Sequence, residues 1–596
     1  MKRTAPPENI YLYIIMFFSF FFRYYYSGYS LSNDELSAVN RLDFSNLHDL
    51  IMFGIRPDGH PAFAQLLLWF HTRIFGLSPA SIRFPFIFIS SLAPLFAYFF
   101  MKNINGKAPA LFLSTAVAFL QFPVLYGQIA RPYGIGLTFS LMSAWLWTEM
   151  LLKFPPKKKK RIILTAALAL SWALCLYTHY FAGLTAAVMG ISGLFLLTKE
   201  NKKNYLYAAL ITSILFLPHL SITLHQINLG GVGQWLEKPE PVFLVNHLLF
   251  IFNGSFIILA LFLILPKDLS KVQNRKLRKI RIILALWFLI PLLTGYFYSV
   301  SINPVLQNSV LIFSMPFLIA LIFSFNYRHL SQWNKIALIF FSVILTVNLI
   351  FPVNFLKQQH FGDFRGTARI LSDFQKKYGK EKIVNIAEIN HRYYLDYYFD
   401  RTGTKVNFIG GKFNDTQGFM RLKKIIDSIE TPFVSYSDLQ NTSSHIARLI
   451  ILSKYPVIRN ITKFGDKSTV FLLQKDTAGF EIPDSVTYVT DKYCCGGFEK
   501  IPQKSKKEFT LNINYLIILT DTSNTGLSIV FDIVDKDGKS VLWRNIPLKF
   551  LHRENNIIRA KIYEHFTLKK NFSGVKYYIL NPSGERFYGK PAQLPD

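Results

Sequence analysis

Up to about residue 352, the chain alternates long apolar runs with short polar breaks, and beyond that point the rhythm changes. A membrane-spanning helix needs roughly 20 mostly apolar residues. Stretches of that kind occupy 8–27, 82–101, 109–127, 133–152, 161–179, 180–198, 204–222, 243–265, 281–300, 306–325 and 333–352, about eleven spans. The first run follows Lys2 and Arg3 but leads into Arg23, Tyr24, Tyr25 and Tyr26 rather than a small-residue cleavage site. Aromatic residues of this kind anchor helix ends at a membrane interface, so the run reads as an uncleaved span. The segment His60–Gly76 is apolar but reaches only about 25 Å as a helix, short of the hydrocarbon core. It also carries Gln65, His71 and Arg73, and it reads as a helix lying in or dipping into the interface.

From about Lys357 the apolar runs shorten and charges rise. Residues 353–475 alternate helical patterns ("GTARILSDFQKKYG", "SHIARLIILSKY") with strand patterns ("KIVNIAEI", "TPFVSYS", "STVFLLQK"), which predicts an α/β domain. Residues 476–596 are strand-rich, with a turn at Lys536-Asp537-Gly538, and predict a β-sandwich. The expected organisation is a polytopic α-helical membrane domain, 1–352, followed by these two domains on the outer side.

Composition and charge sharpen this picture. Hydrophobic residues make up 51% of 596 and include 57 Phe, more than soluble chains usually carry. The net charge of +30 sits in short clusters between apolar runs: "MKNINGK", "KFPPKKKKR", "TKENKKN", "KDLSKVQNRKLRKIR" and "NYRHLSQWNK". With the N-terminus inside and 60–76 not spanning, every one of these loops is cytoplasmic, and the loops around Arg131, His179, Gln234 and Pro304 are outside and poor in Lys and Arg. That reading makes the basic clusters topology signals rather than nucleic-acid sites. Three cysteines form no disulfide framework or zinc spacing, and Cys494 and Cys495 read as two free or buried thiols.

Ionisable residues at span ends are costly unless paired or wet, so they mark sites. All the candidates fall on the predicted outer side. Asp34 and Glu35 open the first outer loop in "SNDELSAVN"; "RPDGHP" supplies Arg56, Asp58 and His60; Arg83 begins the second span; "YGQIARPYG" supplies Gln128, Arg131 and Tyr133; "YTHYF" supplies His179. Arginine matches phosphate geometry and keeps its charge, and a carboxylate accepts a proton from a hydroxyl. Each residue also has a plainer reading. Ser32-x-x-Glu35 is a capping box that leaves Asp34 free. Arg131 snorkels to headgroups, His179 is a hydrogen-bonded interface residue, Arg83 pairs with the first-loop acids, and Arg56, Asp58 and His60 form an ordinary turn before a helix. Asp34, Glu35, Asp58 and His60 are hard ligands for a divalent metal, although no spacing demands one.

The Asp-Glu pair, "HP" before an amphipathic helix, "SIRFPF", "IARPYG" and "YTHYFAG", in that order and on one side, resemble the GT-C membrane glycosyltransferases. The branch they resemble comprises bacterial relatives of protein O-mannosyltransferases and the lipid A aminoarabinose transferase. The resemblance covers about 8–352 and is strongest to about 185. It implies an inverting transferase in a bacterial inner membrane, with a polyprenyl-phosphate sugar as donor and a glycan, lipid or protein as acceptor, and no required cofactor. Asp34 and Glu35 are the implied catalytic pair, with Asp34 as base. Arg131, His60 and Arg83 then meet the donor phosphate, and Asp58, Tyr133 and His179 line the substrate site. Two departures stand out. Relatives often carry Arg-Tyr before the Pro of a late span, whereas "NPVLQNSVLIFSMP" has Asn308-Ser309, and Pro61 is followed by Ala62 rather than a second proline. The competing readings are a transporter or flippase for lipid-linked saccharide, which ionisable groups near mid-membrane and broken helices in related halves would favour, and an O-antigen-type polymerase or ligase.

Overall fold

The computed structural model describes residues 9–25, 27–229, 236–265, 274–326, 329–354, 362–439, 445–464, 468–476, 483–501, 508–521, 525–567 and 572–592. Lys2, Arg3, Tyr26, Gln234, Tyr327, Arg328, Lys357 and the Lys267–Gln273 part of one basic loop lie outside them. The chain divides into two compact units, Met1–Gln358 and Gln359–Asp596.

Among the described residues of the first unit, six helices are long and apolar enough to cross a membrane: Pro79–Asn105, Pro132–Leu152, Lys158–Thr178, Lys202–Asn228, Arg275–Ser301 and Gln332–Ile350. Two bent pairs raise the number to eight, and Ile10–Tyr25 and Tyr180–Leu196 are shorter apolar helices. The expected span 306–325 is the exception. Its first part is extended around Pro304, followed by a short 3-10 turn at Ser309–Leu311, and only Met315–Phe323 is α-helical. His60–Gly76 yields a helix of 13 residues, Phe63–Phe75, about 20 Å long and too short to span.

The bundle is built around Lys107–Phe119 and Pro132–Leu152, which are buried nearly all round as helices with apolar faces on every side must be. Helix breaks inside a bundle free backbone groups that need partners. At the 55° bend between Lys107–Phe119 and Gln121–Gly127, the buried Arg23 donates to the carbonyls of Val117 and Pro123 at 3.2 and 3.1 Å. Asn253, at the second bend, accepts from the Gln121 amide at 2.9 Å and donates to Asn348 at 2.7 Å.

The second unit begins with a five-stranded sheet. Its strands are β1 (Ile383–Glu388), β2 (Phe408–Gly411), β3 (Phe433–Asp438), β4 (Val457–Phe464) and β5 (Ser468–Gln474), in the order β2-β1-β3-β5-β4. The first three are parallel, and β5 and β4 add antiparallel pairs. Helix Tyr393–Thr402, from the Tyr-rich "INHRYYLDYYFDR", buries Tyr394, Leu395, Tyr397, Tyr398 and Phe399 and so packs rather than displays its tyrosines. Two further sheets form the sandwich: β10-β7-β12 and β6-β11-β8-β9. Their strands are β6 (Tyr493–Lys500), β7 (Glu508–Leu519), β8 (Ser528–Asp535), β9 (Ser540–Pro547), β10 (Ile557–Thr567), β11 (Phe572–Leu580) and β12 (Phe587–Ala592). One apolar core runs without a break from Ile386 and Tyr436 of the α/β part to Phe531 and Ile579 of the sandwich.

Cys494 and Cys495 are joined to each other, which corrects the expectation of two separate thiols. The physical reason is a bulge. Cys494 pairs with Ile579 and Gly497 with Tyr577, so Cys495 and Gly496 stand opposite Tyr578 alone. Cys495 takes φ 60°, which turns the two sulfurs to one side.

At the end of β1, Glu388 is buried and accepts from the Tyr436 hydroxyl at 2.5 Å. Burial, helped by the nearby Asp438, pushes its pKa up to about 7 despite Tyr436, the Phe413 amide and Arg448. The folded state then holds a proton that the unfolded chain releases, so stability falls as pH rises from the ordinary glutamate range toward neutrality. Glu388→Gln is expected to flatten that fall, gaining roughly 3 kcal/mol at about pH 8 relative to its effect at about pH 5. Thermal melting of the purified protein across that range checks it.

Candidate active site

The first loop is built from a capping box. Ser32 opens helix Asn33–Asn40: its hydroxyl accepts from the Glu35 amide at 3.2 Å, and its amide donates to Glu35 Oε2 at 2.8 Å. Glu35 is 0% exposed. Arg83 reaches it from the start of the second span with a forked contact, Nε to Oε1 at 2.8 Å and Nη2 to Oε2 at 2.7 Å. Arg83 spends its other donors on the carbonyls of Ser27, Tyr29 and Ser30. The Ala130 amide donates to Glu35 Oε1 at 2.9 Å. Burial works against the Glu35 charge, but Arg83 and the two amides hold its pKa below the ordinary value.

These contacts bring three distant segments together. Ala130 is clamped to Glu35, so its neighbour Arg131 lies against the helix that carries Asp34. Arg131 Nη1 is 3.4 Å from the Asp34 carbonyl, and Nη2 is 3.4 Å from the His60 ring. Close packing makes room for this. A Cβ at Gly134 would sit 2.6 Å from Gly127 Cα, so glycine is needed there. Burial works against the Arg131 charge, yet Asp34, Tyr133, Asp58 and Glu35 together hold its pKa above the ordinary value. Among the described residues its Nε has no partner.

His60 lies 3.5 Å from Asp58, which is also bridged by Arg41 at 3.0 Å. Burial alone would raise the Asp58 pKa, but His60, Arg41 and Arg131 hold it well below the usual range. The His60 carbonyl accepts from Gln226, which also bonds the Ile55 carbonyl. His179 caps helix Tyr180–Gly193, its Nδ1 accepting from the Phe181 amide at 3.1 Å, which leaves the ring proton on Nε2. Its ring packs against His60, Tyr133 and Phe313.

Asp34, Arg131, His60, Asp58, Tyr133 and His179 are thus gathered in one place. Glu35 and Arg83 neutralise each other behind it, so neither has a charge to offer a ligand. Asp34 is the exposed acid, held at the first turn of its helix. Arg41 and Gln226 carried no signal in the sequence, because each gains its role only by long-range contact. Tyr126 joins the site through Tyr133, 5.2 Å away between ring centres, and both hydroxyls interact with Ser309. Beside Ser309, Asn308 accepts from His247 Nδ1 at 2.8 Å if that nitrogen carries the proton. Among the described residues no three His, Cys, Asp or Glu side chains form a metal cluster, and Asp58 is already occupied by Arg41 and His60.

An apolar helical bundle that sets an exposed carboxylate beside a buried arginine marks an integral-membrane protein, and part of its sequence matches a glycosyltransferase family model. Over residues 59–222 the sequence matches the family model of dolichyl-phosphate-mannose-protein mannosyltransferase. No curated protein matches the chain. Among solved structures, it is similar to ArnT from Cupriavidus metallidurans bound to undecaprenyl phosphate, at 12% identity and TM-score 0.45, covering 78% of this chain and 97% of that one. The Archaeoglobus fulgidus oligosaccharyltransferase in complex with Zn and sulfate gives 9% and 0.41 over 98% and 97%. The arabinosyltransferase EmbB from Mycobacterium smegmatis gives 10% and 0.33 over 100% and 65%. Likenesses this distant carry no functional argument.

Removing one partner from a buried ion pair strands the other charge, at a cost of about 3–5 kcal/mol. Arg83→Met is therefore expected to destabilise the protein far more than Arg83→Met combined with Glu35→Leu. Because the Glu35 pKa is depressed, the pair's contribution is full above the ordinary glutamate range and is lost as pH falls through the lower folded value. Melting temperatures of the three proteins in detergent, at neutral and acidic pH, check both points.

Proposed function

We propose that the protein transfers a sugar from a polyprenyl-phosphate donor to a hydroxyl-bearing glycan, lipid or protein acceptor, with inversion, on the extracytoplasmic side of a bacterial inner membrane. The observation that carries this reading is the juxtaposition of exposed Asp34 with buried Arg131, whose Nε is unpartnered among the described residues. Asp34 takes the proton of the acceptor hydroxyl. The hydroxyl oxygen forms its bond to the anomeric carbon as the bond from that carbon to the phosphate oxygen breaks. The electron pair leaves on the lipid phosphate, which needs no proton because Arg131 and His60 meet its charge. One carboxylate is enough for such a single displacement. Asp58 orients His60, and Tyr133 and His179 wall the site.

Arg83 drops out of the phosphate-binding set, and Glu35 becomes a positioning residue that holds Asp34 and Arg131 in register. The orientation with the N-terminus inside rests on the basic loops, which the positive-inside rule places in the cytoplasm. The acidic and cationic groups collect at span ends rather than at mid-membrane, which favours transfer over transport.

Asp34→Asn is expected to fold normally and to lose about 10²- to 10⁴-fold in transfer rate, with little change in donor affinity. Arg131→Ala is expected to weaken binding of undecaprenyl phosphate instead. Transfer from a defined undecaprenyl-phosphate sugar to envelope extracts, followed by mass spectrometry, reads the first effect. Asp34→Asn retaining wild-type turnover would falsify the base assignment.

A further inference from the structure

One face of the sheet β6-β11-β8-β9 is turned away from the core. Phe531, Ile533 and Ile579 point into the core, and the alternate positions point out. The outward set includes Tyr493 and Phe498 on β6, Tyr578 on β11 and Trp543 on β9, by their pairing with Leu580, Lys576, Val530 and Asp532. Solvent reaches 61% of Tyr493, 55% of Phe498 and 48% of Trp543, unusual exposure for large rings.

The rings are held in place rather than loose. Tyr493 packs edge-on against Tyr578 with ring centres 5.7 Å apart, and Trp543 Nε1 donates to the Tyr578 hydroxyl at 3.4 Å. A Cβ on Gly574 would overlap the Phe498 ring, so Phe498 lies directly over that glycine. The bulge closed by Cys494 and Cys495 fixes the step between Tyr493 and Phe498, and a Cβ on Gly496 would strike the Tyr577 carbonyl and Tyr578. The band crosses four strands, about 14 Å at the usual spacing between strands. Asp532, Lys576 and Asn545 share the face, and Ser540 donates to Asp532 at 2.6 Å.

We propose that this face binds an oligosaccharide. A sugar ring offers C–H bonds on one face and hydroxyls at its rim. Fixed aromatic rings with donors and acceptors of both signs between them match both features. A nucleic acid would call for a consistently basic surface, which the Asp532–Lys576 pairing across β8 and β11 does not provide. The binding face stands on its own geometry. Only the assignment of its saccharide as the acceptor, or as the elongated product, rests on the transferase reading.

The test uses the full-length protein in nanodiscs on an array of maltohexaose, mannohexaose, chitohexaose and an arabinofuranose hexasaccharide. Wild-type protein is expected to bind at least one of them, and Tyr493→Ala with Trp543→Ala is expected to weaken that binding by about tenfold or more. Asp34→Asn is expected to bind as wild type does, which separates this result from the fate of the transferase reading. No binding to any of the four, or binding that survives the double substitution, overturns the proposal. So does a double variant that changes only the oligomeric state in light scattering, or a wild-type Trp543 that is quenched by brominated lipid and indifferent to sugar. The first would mark a self-association surface and the second a membrane anchor.

Discussion

The buried pair between Glu35 and Arg83 is the contact on which the candidate site depends. Neither charge belongs in an apolar bundle alone, and together they are fully partnered: both carboxylate oxygens and most guanidinium donors are satisfied. Burial of this kind rarely adds net stability over an apolar alternative, but it specifies position strongly. Here it ties the first loop, the second span and the loop before helix Pro132–Leu152 to one point. Asp34 and Arg131 are each one residue away from that point, so their separation follows from backbone geometry rather than from flexible side chains. A site set by such short covalent links is held within the narrow tolerance that proton transfer and phosphate binding require.

A second line of charge runs from Arg41 through Asp58 and His60 to Arg131. Along it one acid sits between two cations, and a second acid, Asp34, lies at the far end. Once Glu35 and Arg83 are set aside, two arginines and two acids flank His60 along this line. Arg131 has a raised pKa because the acids around it outweigh its burial. Its charge is thus preserved before any ligand arrives, which spares the reorganisation that an unpaired buried cation would require.

Much of this was legible in the sequence, for stated reasons. The capping box is a local motif with one geometry, so Ser32 and Glu35 could be read from spacing alone. The long spans are visible because twenty apolar residues have few other uses. Paired acids and arginines were harder. Sequence places Arg83 and Arg131 equally near the outer ends of spans and allows Arg83 to pair with the first-loop acids, and the fold shows that of those acids it is Glu35 that holds it. The span expected at 306–325 failed because hydropathy averages over Gln307 and Asn308 and the short 3-10 turn that follows them, and only Met315–Phe323 is α-helical. β2 was missed because four residues are too few to show a two-residue periodicity, and β6 because its Cys-Cys-Gly-Gly bulge interrupts the alternation. The bond between Cys494 and Cys495 was missed because adjacent cysteines carry no loop-spacing signal, and the left-handed turn that joins them is a property of the bulge.

The broken stretch around Asn308 also explains how the site tolerates losing a cation that relatives are expected to carry there. Asn308 and the buried His247 are hydrogen-bonded to each other inside the bundle, while His247 Nε2 has no partner among the described residues. The next residue, Ser309, instead lies close to the hydroxyls of the tyrosines that border Arg131. The polar contribution of this stretch is therefore indirect: it positions the wall beside Arg131 and leaves the charge work to that residue. Under the transferase reading, phosphate recognition is concentrated on fewer groups, and its selectivity then depends on the shape of the aromatic wall formed by Tyr126, Tyr133 and Phe313 more than on the number of cations.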